Sequence, residues 1–175
     1  MADYYPPPSG ITAFGGVASS LTTGLAAIPG VATTASRSDH NHGSLATPTS
    51  NSVATQGTTV SVTYTATLTG SSAATIAVVV PASGIVLILF AADLLNTTAG
   101  NKAFCSVACS GIDTIAANDA WARIANSGAA NDDRSLSAHL FTGLTPGATD
   151  TFTLQFKAAA GTTQVANQEL IAVQL

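Results

Sequence analysis

The chain has 175 residues, room for one well-buried domain with an appendage at the usual ~100–200 residues per domain. Only 8% of it is charged, against roughly a quarter in an average soluble domain, and the formal net charge is -4. Five scattered Lys and Arg leave no basic footprint for DNA or RNA, and so little charge implies a surface covered by neighbouring subunits or made neutral by Thr and Ser.

Two further classes are excluded by pattern. The longest unbroken apolar run, Ile85 to Ala92, is far shorter than the ~20 residues a membrane-spanning helix requires. Met1-Ala-Asp-Tyr-Tyr-Pro-Pro-Pro8 has an acid and three prolines where a secretory signal needs a basic end and an apolar core, so synthesis in a cytoplasm is expected. Cys105 and Cys109 are four apart in a strand-like run, about 13 Å of strand, too far for a disulfide. Both are expected as reduced core thiols, since no two further ligands complete a zinc site.

Residues 1–43 read as an extended N-terminal attachment arm. Pro6-Pro7-Pro8 stiffens its start, Tyr4 and Tyr5 look like anchors, and Phe14, Val17, Leu21, Leu25 and Ile28 approach a helical stripe that Pro29-Gly30 would end. Those apolar residues cannot fill a core alone, so the arm, through Tyr4, Tyr5 and Phe14, is expected to pack on its copies or dock on another structural protein. At its end lies Ser36-Arg-Ser-Asp-His-Asn-His-Gly43. In an extended backbone, side chains two apart face the same side, so His40 and His42 address one point. Two imidazoles are a poor complete shell, but three chains around a three-fold axis supply six nitrogens, which suits an octahedral first-row ion. A polar connector, residues 44–57, follows.

From Thr58 the pattern is that of strands. Val60, Val62, Tyr64, Ala66 and Leu68 alternate with Ser and Thr, predicting a half-buried strand; Thr75 to Val80 is a second, between turns at Gly70-Ser-Ser72 and Pro81-Ala-Ser-Gly84. Ile85 to Ala92 is apolar on both faces, so it is expected to lie between the opposite sheet and a neighbouring subunit or loop. Asn96 to Asn101 reads as a loop, Ala103 to Ser110 as a strand, Asp119 to Ala125 as a short strand around Trp121, and Asn126 to Asp133 as an exposed loop. Ser135 to Phe141 follows, then a Leu144-Thr-Pro-Gly147 turn, a strand through Phe152, Leu154 and Phe156, and a last one with Ile171, Val173 and Leu175 on one face. About eight short strands and no convincing helix make residues 58–175 an all-β, antiparallel jelly-roll sandwich head.

The Ser-Arg-Ser-Asp-His-x-His-Gly setting resembles a motif of bacteriophage tail-fibre and related virion appendage proteins, where such pairs sit on the axis of an intertwined trimer and bind iron. The series from Gly84-Ile-Val-Leu-Ile through Leu144-Thr-Pro-Gly147 and Thr151-Phe-Thr-Leu-Gln155 to Glu169-Leu-Ile-Ala-Val173 resembles the C-terminal heads of phage fibres, similar to trimeric jelly rolls of the tumour-necrosis-factor and complement-C1q class. The resemblance implies a homotrimeric virion structural protein, with iron or another transition metal on the axis and an outward head that binds a host-surface glycan or protein. Loops carrying Asn96, Asn101, Asn131, Asp132 and Asp133 would form the receptor contacts. The shortness of the arm keeps a capsid decoration protein or a head or neck spike as the alternative, and a glycan-cleaving tailspike stands behind both.

Enzymatic machinery is not visible: there is no Gly-x-Ser-x-Gly elbow, no phosphate loop with its lysine, and no His-Glu-x-x-His pair. His139, beside Leu140, reads as a core or interface histidine. Asp113, Asp119, Asp132, Asp133 and Asp150 lie near turns, where Asp serves the backbone, and Trp121 reads as core.

Overall fold

Stretches that alternate between apolar and polar, or are apolar on both faces, become the long central strands of two antiparallel sheets. The computed structural model of the protein describes residues 47–126 and 133–175, and over them it is all-β. In chain order the strands are β1 (Thr49–Val53), β2 (Gly57–Thr59), β3 (Thr75–Val79), β4 (Val86–Asn96), β5 (Lys102–Ser110), β6 (Arg123–Asn126), β7 (Asp133–Arg134), β8 (Ser137–Phe141), β9 (Thr149–Ala158) and β10 (Thr163–Gln174).

One sheet runs β1-β10-β4-β8, with β2 continuing β1 along β10 and β7 preceding β8 along β4; the other runs β3-β9-β5-β6. Taking β1 with β2, and β7 with β8, as single bent strands leaves eight. These pair first with last, second with seventh, third with sixth and fourth with fifth. That nesting is the one a jelly roll has, a long hairpin rolled on itself.

The core lies between the sheets. From the first come Val86, Ile88, Phe90, Ala92 and Leu94, with Leu170 and Ala172; from the second come Phe152, Leu154, Phe156, Cys105 and Val107. Phe141 meets Phe152 edge to face at 5.0 Å between ring centroids, an arrangement aromatic pairs prefer. Cys105 and Cys109 are both buried and unpaired, and burial pushes each thiol up to about 12.

Both flanks of the sandwich are closed by polar side chains. On one, β3 is an edge strand whose backbone groups are met by amides from the opposite sheet. Asn51 Nδ2 donates to Thr75 O at 2.8 Å, Gln174 Nε2 to Val79 O at 2.5 Å, and the buried Gln168 spans Ala74 N–H and Ser72 O at 2.8 and 2.9 Å. On the other, the buried Arg123 donates through Nη1 to Ala92 O and through Nε to Ser135 Oγ, both at 2.6 Å. Trp121, partly buried against the core, stacks on His139 at 4.1 Å and donates Nε1–H to Val107 O at 3.3 Å.

Three stretches depart from the expected pattern. The alternation from Val60 to Leu68 is not a strand: Val60 and Val62 are 70% and 65% exposed, and the chain crosses here from β10 to the side of β9. The polar half of that alternation is Ser and Thr, whose hydroxyls take backbone groups two residues away. Ser61 Oγ donates to Thr63 O at 2.6 Å and Thr65 Oγ1 accepts from Thr67 N–H at 3.0 Å, so local turns replace the ladder. At the other end, β10 begins six residues earlier than the terminal Glu169–Leu175 pattern. A bulge between Ala166 and Glu169, with Asn167 at φ 46°, shifts the phase, so Val165 points inward before it and Leu170 after it. The expected strand from Asp119 shortens to β6, with Trp121 ahead of it.

Candidate functional site

The side chains of β4 alternate inward and outward, and both sets are apolar. The outward set meets its cross-strand neighbours in rows. Leu87 lies between Leu140 of β8 and Val173 of β10, and Leu89 lies between Ala138 and Ile171. Ala91 comes next, opposite Glu169, and then Asp93 opposite Ala166. Two rows of aliphatic side chains, three strands wide, therefore stand on the outside of the first sheet. Leu87, Leu89, Ile171 and Val173 are half-buried by one another, and Leu140 is 46% exposed. Among the described residues no segment is hydrogen-bonded over them. A contiguous apolar patch on a sheet face marks a contact surface.

The polar end of this face has its own geometry. The Asn167 bulge opens a recess of about 300 Å³ lined by Ser52, Ala54, Asn167, Gln168 and Glu169. Asn167 Nδ2 donates to Asp93 Oδ2, which holds the strained residue in place.

The outside of the second sheet differs. Thr149, Thr151, Thr153, Gln155 and Lys157 of β9 line it, and its apolar or small residues are roofed by the chain itself. Ser106 Oγ donates to Asn118 O at 3.0 Å, while Lys157 Nζ sits 4.5 Å from the Phe104 ring centroid and 4.8 Å from that of Tyr64. Asp119 ties this roof down, pairing with Lys157 Nζ at 2.6 Å and accepting the Tyr64 hydroxyl at 2.8 Å. The Lys157 contact, then the Tyr64 bond, hold the Asp119 carboxyl below its ordinary range; burial and that same acceptor push the Tyr64 phenol up.

The residues expected at functional positions fall into three groups. Tyr4, Tyr5, Phe14, His40, His42, Asn131 and Asp132 lie outside the described residues, and Asp133 is placed only as backbone, opposite Leu94 in β7. Asn96 ends β4 rather than opening a loop, and at 2% exposure it is a brace: its amide donates to Lys102 O and Ala160 O and accepts from Thr98 N–H. That inward role does not suit a receptor contact. Asn101, half-buried, donates its backbone N–H to Thr98 O, so both asparagines shape the 97–101 loop. His139 is partly buried in its stack on Trp121, and that burial lowers its pKa.

Among the described residues no three His, Cys, Asp or Glu side chains gather closely enough to hold a metal ion, and no helix is long and apolar enough to cross a membrane. The outward rows of the first sheet were half legible in sequence, through the two-faced Ile85–Ala92 run; the buried Arg123 was not singled out, although an Arg amid short apolar residues is a usable signal. No protein-family model matches the chain, and no curated protein matches it.

Proposed function

We propose that the protein is a structural component of a bacteriophage virion, a short homotrimeric tail fibre or related appendage whose head faces outward and binds a host-surface glycan or protein. What supports assembly is the outer face of the first sheet: Leu87, Leu89, Ile171 and Val173 form an apolar surface that further copies of the chain would cover. What supports the virion is the Ser36–Gly43 motif, whose His40 and His42, brought together from three chains, would hold iron or another transition metal on the axis. Binding through three heads is multivalent, so weak single contacts add up.

Native mass measurement of the full chain tests this directly. A trimer carrying about one transition-metal ion, which the His40→Ala/His42→Ala variant loses together with some heat resistance, is the expected result. A monomer at micromolar concentration overturns the assembly. Locating the chain in a particle separates tail tip from the alternative of capsid or neck decoration, which shares the architecture.

A further inference from the structure

We propose that Asp113 and Asp150 hold a hard divalent cation of the calcium class at the end of the sandwich where β5 finishes and β9 begins. Asp150 is the first inward residue of β9 and is 0% exposed. Its Oδ1 accepts the Asp113 backbone N–H at 3.1 Å, while its Oδ2 is buried with no hydrogen-bond partner. Asp113, whose backbone N–H makes that bond, has its side chain close to the Asp150 carboxyl and half-exposed on the solvent side. Asp113 also accepts from Thr145, from N–H at 2.6 Å and Oγ1 at 3.1 Å. None of the described Lys, Arg or His side chains pairs with either acid.

A buried carboxylate with one hydrogen bond, a second carboxylate against it and no counter-charge is unfavourable by itself; such groups are paired, neutralised or bound to metal. Calcium takes carboxylates in one- or two-oxygen contact and completes its shell with water, which the open Asp113 side admits. Gly111, at φ 138°, brings the chain directly onto this carboxylate: a Cβ there would stand 2.6 Å from Asp150 Oδ1. The ion would thus fasten the loop following β5 to the Thr145 turn. All of these groups belong to one chain, so the site stands or falls separately from the trimer.

Full-length protein, stripped with EDTA and titrated with CaCl₂ near neutral pH by calorimetry, provides the test. One ion per chain is expected, with Kd on the order of 10⁻⁴–10⁻³ M, and a rise in Tm of about 3 °C or more at ten times that concentration. Asp150→Asn abolishes the binding, and Asp113→Asn weakens it by at least ~10-fold; the second, on the exposed side, carries the test if the first does not fold. The His40→Ala/His42→Ala background retains it. No saturable binding by the unmodified chain overturns the proposal, as does binding unchanged in both Asp variants. A chain indifferent to calcium in which Asp150→Asn raises Tm would show a shared proton in the ion's place.

Discussion

The two sheets of this sandwich treat their outer faces in opposite ways. The second covers its own apolar positions, using the 60–72 crossing and the segment from Gly111 to Ala122, and shows a threonine ladder to solvent. The first leaves Leu87, Leu89, Ile171 and Val173 uncovered by any hydrogen-bonded segment among the described residues. A domain this poor in charge does not simply have a greasy surface. Among the described residues, one outer face is covered by the chain's own segments and the other is not.

Neighbouring residues of β4 separate the two roles. Phe90→Ala, on the inner face, should cost about 3–5 kcal/mol of folding stability, read by denaturant unfolding. Leu89→Asp, one residue earlier and facing outward, should leave the monomer folded while weakening self-association by at least ~100-fold, read by native mass or light scattering. Thr153→Asp, the corresponding change on the second sheet, should leave association unaltered; equal loss in both variants would erase the contrast between the faces.

A smaller effect belongs to the amide-closed flank. Gln168→Leu strips the buried Ala74 N–H, and the part-buried Ser72 O, of their partner and should destabilise by about 1–3 kcal/mol without changing oligomeric state.

The smallest belongs to the roof over the second sheet. Asp119 has its folded pKa depressed by Lys157 and Tyr64, so its contribution is present above the ordinary carboxylate value and fades as pH falls through the lowered one. A thermal scan should therefore show a slight loss below about pH 4 that Lys157→Met removes. The Asp119 side chain is 57% exposed, which keeps the change small.

Much of the fold was legible because burial enforces period two: β3, β4, β5, β8 and β9 all lie where alternation or a two-faced apolar run placed them. Failure came where something other than burial decides the backbone. At Val60–Leu68 the alternation was genuine, yet Ser61 and Thr65 supplied local acceptors and donors that a ladder would otherwise have supplied. At Asn167 one extra residue reversed the phase, hiding the first half of β10 and leaving no cue that Ile171 and Val173 point away from the core. The turn expected over Leu144–Gly147 closes one residue later, at Thr145–Ala148, but its cause was legible, since Pro146 and Gly147 fix its dihedrals and Gly147 takes φ 79°. Asn96 shows the limit for sites: an asparagine at the end of an apolar run looks like a loop ligand until its burial is known.

The nested pairing has a consequence for how the protein is made. β10, made after the other described strands, lies in the interior of its sheet between β1 and β4, so the apolar surface of β4 waits without this neighbour until β10 is made. Closure then joins segments more than a hundred residues apart, a slow step for which loop entropy is spent before contacts repay it. A nascent chain stalled short of Thr163 should accordingly be a target for chaperones or aggregation rather than a smaller version of the domain.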